Sequence, residues 1–540
     1  MIKKLLFIMV CTIMLGLLSA DTIPGGNVSG IWYAANSPYY IAGNITIQNG
    51  NTLTIEPAVD IEFQGDYSLT VNGFLEAVGS DTDSISFFPV NINVGWAGIR
   101  FINAADSSHL VYCTVRNAGD SAGFEGEGGI YCSNSNPVIS YCNIHDNTTG
   151  DDVHGGGIGL VNSSGPEIAH CTITGNLGSY GGGIHIDNST VTITDCFFSD
   201  NASIFGGGIY LSNSQVTLDS CDINNSWGVS WGGGIYGENS TLILLDCIIS
   251  DNSVNRDGGG ICLDNTDATL TDCSIYNNSC PNSGYVGGGI GCINSGSTVD
   301  LSYCAFWDNY SYDYGGAVGL ETGFNNSLTV DHCTFYRNDV YSWGDAIYIG
   351  SSGQGTIHNS IFNRNRVSGV HYAIWNAGAL TSLTYTCFHD NINDIAYPPA
   401  GFGILDTINY NGDSCDIYFN LFVDPMFEDT ASRDFHLTEN SPCIDAGDPS
   451  YPLDPDSTIC DMGAYWFDQT GVVEYPVVKH ANNCDFLGST VFSGPLQLPE
   501  GVQYKVLDIT GRVIAPGKIK PGIYFIEIDG HITQKVIKVR

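Results

Sequence analysis

Hydrophobic and polar residues alternate along most of the chain, in short runs that recur at a nearly constant interval. The run from Gly181 to Asn201 reads GGGIHIDNSTVTITDCFFSDN, and closely similar runs begin at Gly206, Gly232 and Gly258. Inside each run the alternation has a period of two, which is typical of β-strands and not of helices. A repeat of this kind indicates that each copy is one supersecondary unit, which buries its apolar face against its neighbours.

The isoleucine after the glycines gives the length of the repeat, because it recurs in steps of 25 to 29 residues. The series is Ile130, Ile158, Ile184, Ile209, Ile235, Ile261, Ile290, Val318, Ile347 and Ile374. Three strands of about 4 to 6 residues and their turns fill such an interval, whereas a propeller blade needs about 40 residues. The pattern therefore predicts an all-β fold, a parallel β-helix with one coil per repeat. Because parallel crossovers are right-handed, we expect a right-handed coil.

Stacking the coils about 4.8 Å apart turns equivalent positions into ladders. The isoleucines are then an internal aliphatic stack, and an asparagine column is predicted to form an amide ladder at a turn. The column contains Asn147, Asn176, Asn201, Asn252, Asn278, Asn309, Asn338 and Asn365.

Most of the 19 cysteines follow the same logic. One column holds Cys113, Cys142, Cys171, Cys196, Cys221, Cys247, Cys273, Cys304, Cys333 and Cys387, with Ser360 in the one gap. Side chains that point inward in parallel would form strained disulfides, so we expect buried thiols that pack as small hydrophobic groups. The pairs Cys262 with Cys292 and Cys443 with Cys460 lie outside this column and remain candidates for disulfide bonds.

From roughly Asn93 to Asn391 these repeats resemble the right-handed parallel β-helix repeat proteins of the pectate-lyase-like superfamily. The resemblance implies the fold but no single activity, because the scaffold carries lyases, hydrolases, epimerases, adhesins and inert spacers. We expect an N-terminal cap and first coils in residues 21–92, the repeats in 93–397 and a C-terminal cap in 398–467. Within that cap, Asp424 to Tyr465 resembles the terminal segment of many exported bacterial β-helix proteins.

Both ends of the chain predict export. In residues 1–20 two lysines precede an apolar run with a small-residue end, which indicates a cleaved signal peptide. A membrane anchor is the alternative, although the run is short for a bilayer span. After a linker at 468–475, residues 476–540 alternate as strands joined by glycine turns, which predicts a small antiparallel β-sandwich. Tyr504 to Arg540 resembles the C-terminal sorting domain of type IX secretion substrates, which implies an outer-surface or extracellular location and the secretion machinery as a partner.

The formal net charge of −40 is unevenly distributed. Between Asp21 and Val478 there is no lysine and only seven arginines, whereas the last 62 residues hold eight basic and five acidic groups. Nucleic acid is excluded as a partner because binding it requires a basic surface. Polyanionic sugars are disfavoured unless cations bridge them, and the acidity is explained most simply by solubility.

Two groups of residues are candidates for polysaccharide chemistry. Asp151 and Asp152 beside His154 resemble the paired carboxylates of β-helix polysaccharide hydrolases, although the further motifs of those enzymes are absent. A solvated turn is the alternative. Arg337, Arg364 and Arg366 are the candidate bases for a lyase, since they could meet across two adjacent coils. Arg337 and Arg364 fall in one column with Asp308, however, which predicts a structural acid–base ladder instead.

An aromatic column precedes the glycines and is the strongest candidate for ligand binding. It consists of Tyr180, Phe205, Trp231, Tyr314 and Trp343, and Asp257 and Val286 interrupt it. Stacked aromatic residues fill a corner of the core or, if exposed, form a platform for sugar rings.

Asp454, Asp456 and Asp461 are candidate ligands for Ca²⁺, a cation that binds several oxygens, with a solvated acidic turn as the alternative. No other cofactor is predicted, and the histidines fall in different columns. The sequence therefore predicts an exported, surface-displayed or secreted β-helix protein without catalytic activity, which serves adhesion, glycan binding or an envelope-structural role. A polysaccharide-degrading enzyme on the same scaffold is the alternative.

Overall fold

The computed structural model describes residues 21–104, 108–119, 128–150, 155–294, 296–365 and 372–469, together with five strands between Thr490 and Lys538. The chain divides into two units, Met1–Gly471 and Val472–Arg540. Among the described residues, no helix is both long enough and apolar enough to cross a membrane.

The first unit is a parallel β-solenoid in which each coil contributes one strand to each of three sheets. The first sheet contains Asp21–Ile23, Tyr39–Ile41, Asp60–Phe63, Ile85–Pro89, Cys113–Arg116, Asn143–His145, Thr172–Thr174, Phe197–Ser199, Asp222–Asn224, Ile248–Ser250, Ser274–Tyr276, Ala305–Trp307, Thr334–Tyr336, Ile361–Asn363 and Cys387–His389. The second sheet contains Gly26–Asn27, Ile45–Ile47, Leu69–Val71, Ile99–Ile102, Ile130–Ser133, Ile158–Val161, Ile184–Asp187, Ile209–Ser212, Ile235–Glu238, Ile261–Asp264, Ile290–Ile293, Val318–Leu320, Ile347–Ile349, Ile374–Asn376 and Ile395–Ala396. The third sheet contains Gly30–Trp32, Thr52–Ile55, Phe74–Val78, His109–Val111, Val138–Ser140, Ser164–Ala169, Thr190–Thr194, Gln215–Asp219, Thr241–Leu245, Asp267–Thr271, Thr298–Ser302, Ser327–Asp331, Gln354–His358 and Ala379–Thr384.

A fourth, shorter sheet lies between the first and second sheets along part of the solenoid, and we call it the corner sheet. Its strands are Leu177–Tyr180, Ala202–Phe205, Trp227–Trp231, Ser253–Val254, Ser279–Cys280, Tyr310–Ser311 and Asp339–Val340. The remaining elements of this unit are a 3₁₀ turn at Ala34–Asn36 and two antiparallel pairs, Thr407–Ile408 with Ser414–Cys415 and Phe427–Asp429 with Asp434–Leu437.

The register confirms the predicted ladders. Ile158, Ile184, Ile209 and Ile235 pair in succession and are fully buried in one continuous core. In the asparagine ladder, Asn147 Nδ2 donates to Asn176 Oδ1 at 3.0 Å, and the Asn147 backbone N–H donates to the same oxygen at 3.0 Å. The same Nδ2 also donates to a backbone carbonyl of the preceding coil. Each buried amide is therefore hydrogen-bonded on both sides, as a buried polar group requires.

The cysteines of the described residues are all free thiols, and those of the predicted column are buried. The two candidate disulfides are not found. Cys262 pairs in register with Gly291, whereas Cys292 pairs with Leu263, so their side chains point to opposite faces of the second sheet. Cys443 is buried in a core cluster, whereas Cys460 Sγ donates to the backbone carbonyl of Asp448 at 3.5 Å.

The segment that the sequence predicts to be a C-terminal cap, residues 398–467, folds back along the outer face of the first sheet. The Arg433 guanidinium reaches Asp308, with Nη2 2.6 Å from Oδ2, although the two residues are 125 positions apart. Farther along, the Ala464 backbone N–H donates to Thr334 Oγ1 at 3.0 Å. The cap therefore covers several coils and not only the open end of the solenoid.

The described strands of the second unit form one five-stranded sheet. In spatial order these strands are Thr490–Phe492, His531–Lys538, Gly522–Ile528, Tyr504–Asp508 and Val513–Ile514. All neighbours are antiparallel except the first two strands, which run parallel. The predicted all-β fold, a parallel β-helix followed by a small antiparallel unit, is confirmed, except that the described strands of this unit form one sheet with one parallel pair and not the predicted two-sheet sandwich.

Candidate functional site

The aromatic column forms two stacks, at or just after the C-terminal ends of the corner sheet strands. The ring centroids of Tyr180 and Phe205 are 5.2 Å apart, and those of Phe205 and Trp231 are 5.3 Å apart. In the second stack, Tyr314 and Trp343 are 5.4 Å apart. The planes within each pair differ by 20° to 22°. The rings therefore face one another along the solenoid axis.

This orientation favours packing over the predicted platform. Phe205 has one face towards Tyr180 and the other towards Trp231, so mainly its ring edge remains for solvent. Four of the five column residues pack against a buried cluster on the outer face of the second sheet, which includes Tyr210 and Tyr236. Trp343, at the end of its stack, is 40% exposed. A sugar ring stacks on a face and not on an edge, so most of this column is unsuited to that contact.

Trp231 is held in place further by Arg256 and Asp257, which lie shortly after the corner strand Ser253–Val254 of the next coil. The Arg256 guanidinium lies over its ring, 5.2 Å from the centroid, and Trp231 Nε1 donates to Asp257 Oδ2 at 3.2 Å. Burial raises the pKa of Asp257 to about 6. These contacts make Trp231 a structural anchor of the corner.

Trp227 has the opposite environment, although it lies only four residues earlier on the same strand. It is 45% exposed, and no other aromatic ring stacks on it among the residues that the structure describes. Its neighbours in register are Ala202 and Ser253, which are too small to cover an indole face. Leu177, exposed on the same sheet, is in register with Ala202.

Together with Ile204 and Val229, Leu177 and Trp227 form an exposed apolar surface, which we call the Trp227 patch. The repeat did not predict this patch, because it was assigned three strands per coil and the corner strands are an additional, short fourth element. The signal was the alternation in WGVSW, which places Trp227 and Val229 on the outward face of a strand.

The other sequence candidates divide into three outcomes. Asp151, Asp152, His154 and Arg366 lie outside the described residues. The predicted acid–base ladder is present: Arg337 Nε is 3.4 Å from Asp308 Oδ1, and Arg364 Nε is 3.2 Å from an oxygen of Asp390. These arginines are thus engaged in ion pairs, and the cap adds Arg433 to the same Asp308.

The third group, Asp454, Asp456 and Asp461, uses its carboxylates to accept backbone hydrogen bonds. Asp454 Oδ2 accepts from the Asp461 N–H at 2.9 Å, Asp461 accepts from Asp445 and Phe467, and Asp456 accepts from Thr458. Burial raises the pKa of Asp461 to about 7 and that of Asp454 to about 6. No cluster of three or more acidic, histidine or cysteine side chains suited to a metal ion occurs among the described residues.

The fold and its ladders define a parallel β-solenoid. The chain belongs to the family described as the right handed beta helix region, whose model matches residues 77–230, 151–306 and 217–384, more than half of the 540 residues. No curated protein matches it. Among solved structures, the crystal structure of pectate lyase Pel9A matches at 12% identity and a TM-score of 0.23, over 76% of this chain and 89% of that chain. At such values the likeness says nothing about activity.

Proposed function

We propose that the protein is an exported β-helix protein, displayed on the outer surface or released from it, that binds glycan without cleaving it. The observation that carries the proposal is the exposed indole of Trp227 within the Trp227 patch, on which no aromatic ring of the described residues stacks. Contiguous apolar surface on an otherwise polar exterior commonly marks a binding site. An exposed, unstacked indole on a rigid strand offers a sugar ring the flat apolar surface that stacking requires.

The charge distribution narrows the glycan class. The segment between Asp21 and Val478 carries no lysine, and the formal charge of the whole chain is −40. A polyanionic sugar would be repelled by this field, whereas stacking on an indole needs no charge complementarity. A neutral glycan is therefore the ligand that best fits the patch.

Export and display are supported by the two ends of the sequence. Residues 1–20 have the features of a signal peptide. The strands between Tyr504 and Lys538 belong to a separate unit, and their sequence resembles a type IX sorting domain. We assign residues 476–540 to that role, with 468–475 as linker.

A paired substitution tests the binding site. Trp227→Ala should weaken binding to the neutral polysaccharides of a panel and leave stability almost unchanged, as is usual for exposed positions. Trp231→Ala is the matched control, because the same residue type on the same strand is packed: it should lower the free energy of unfolding by about 3 kcal/mol. Affinity electrophoresis and thermal unfolding of both variants provide the measurements. If Trp227→Ala binds every polysaccharide as the parent does, the patch is not the site.

The same panel tests the enzymatic alternative. New reducing ends would indicate hydrolysis, and unsaturated products absorbing in the ultraviolet would indicate β-elimination. If the purified mature protein forms either product, the protein is an enzyme and the proposal of binding without cleavage is wrong.

A further inference from the structure

The strand of the third sheet becomes longer at the coil that begins near Gly155. The strand Val138–Ser140 has three residues, whereas the next strand, Ser164–Ala169, has six. Ser164 pairs with Thr190 and Glu167 with Thr192, so one extra residue is accommodated between them. Such a bulge bends its strand and re-aims side chains, and it often occurs beside functional sites.

Two open cavities adjoin this bulge. One, of about 390 Å³, is lined by serine, threonine, asparagine and glutamine residues of successive coils from Ser164 to Asn265. The other, of about 450 Å³, extends across the strand past Glu167 to His170. Both are lined by Ser164 and Thr190, so they lie side by side, and we call the two together the trough.

The amides along the trough are held in place by the turns that carry them. Asn188, Asn213, Asn239 and Asn265 all have φ between 47° and 49°, a left-handed conformation in which asparagine is enriched. Asn265 Nδ2 donates to Asn239 Oδ1 at 2.8 Å, and Asn213 Nδ2 donates to a serine hydroxyl at 2.8 Å. Side chains fixed in this way lose little conformational entropy when a ligand binds.

The far end of the trough is also rigid. The His170 ring stacks on Tyr141, with centroids 4.5 Å apart and planes 19° apart. Its Nδ1 lies 3.5 Å from Asp195 Oδ2. The imidazole is therefore fixed on one face and at one nitrogen, beside the exposed Glu167.

We propose that the trough is a second glycan site, which takes a neutral oligosaccharide through hydrogen bonds. The larger part of its lining is uncharged, although the chain carries a formal charge of −40. Amides and hydroxyls supply donors and acceptors together, which matches the dual character of sugar hydroxyls. The inference rests on the proposed function for the class of ligand, but the trough lies on the third sheet and the Trp227 patch on the corner sheet.

Calorimetric titration of the mature chain with four tetrasaccharides tests the inference. Cellotetraose, xylotetraose and mannotetraose are the neutral probes, and tetragalacturonate is the charged one. Thr190→Val removes a hydroxyl shared by both cavities at nearly constant shape, and Asn213→Gly removes an amide from a position where glycine tolerates the positive φ. Thr298→Val, in the same column but outside the trough, is the control.

We expect at least one neutral tetrasaccharide to bind. Thr190→Val and Asn213→Gly should each weaken it about fivefold to tenfold, the effect of one lost hydrogen bond, while Thr298→Val binds as the parent does. Absence of binding by all three neutral probes, tighter binding of tetragalacturonate, or unchanged binding by both trough variants would overturn the inference. Loss of tetrasaccharide binding in Trp227→Ala alone would also overturn it, but would leave the proposed function in place.

Discussion

At the scale of the residue, one buried acid stands out. Asp345 occupies the middle position of the glycine triplet, where Gly182, Gly207 and Gly233 stand in earlier coils, and it is fully buried. Burial, together with the nearby Asp339 carboxylate, raises the pKa of Asp345 to about 8. Because the ordinary value of an aspartate is about 3.9, the folded chain binds this proton more tightly than the unfolded chain does.

This shift makes a prediction about pH. The stabilising contribution of protonated Asp345 is complete below about pH 4 and is lost as the pH rises through about 8. The thermal midpoint of the parent should therefore fall more steeply between pH 5 and pH 9 than that of Asp345→Asn, which cannot ionise. Asp251→Asn, at an exposed turn, is the control and should follow the parent. Parallel curves for the parent and Asp345→Asn would contradict the prediction.

At the scale of the element, the sequence predicted the ladders but not the corner sheet. Isoleucine, asparagine and cysteine columns follow from spacing alone, because a solenoid converts period into register. The corner strands have only two to five residues, and their segment reads as a turn. Nor does spacing reveal whether an aromatic ring presents its face or its edge. Spacing therefore does not distinguish the packed Trp231 from the exposed Trp227, because the exposure of each ring depends on its neighbour in the adjacent coil.

The cysteine ladder carries the prediction that belongs to this scale. The Sγ atoms of the ladder donate hydrogen bonds to backbone carbonyls, as Cys142 does to Leu110 at 3.2 Å. Each thiol therefore has a hydrogen-bond acceptor in the solenoid itself. Burial also raises the pKa of the Cys142 thiol in this ladder, which disfavours the reactive thiolate. Alkylation followed by mass spectrometry, without reduction, should modify the column only after unfolding. Disulfides between ladder positions would contradict the prediction and would show that the coils tolerate strained disulfide geometry.

At the scale of the whole molecule, the solenoid and its C-terminal cap form one unit. The repeat predicted a cap at 398–467, but its position along the first sheet depends on contacts such as that between Arg433 and Asp308, which no local pattern reveals. Asp448 likewise donates its backbone N–H to Asn359 Oδ1 at 2.8 Å. A solenoid exposes strand edges and apolar core at its ends, so a cap that reaches several coils protects both.

This organisation predicts what removal of the second unit does. The unit Met1–Gly471 contains the three sheets, the ladders and the cap, so deletion of Tyr475 to Arg540 should leave the β-helix folded. Its thermal unfolding should follow that of the solenoid in the full chain, and binding at the Trp227 patch and the trough should be unchanged. Delivery to the surface of the native host should stop, because the deleted residues carry the proposed sorting signal. A truncated chain that still reaches the surface would refute the sorting role and leave the glycan sites untouched, whereas a truncated chain that unfolds would show that the solenoid needs the second unit.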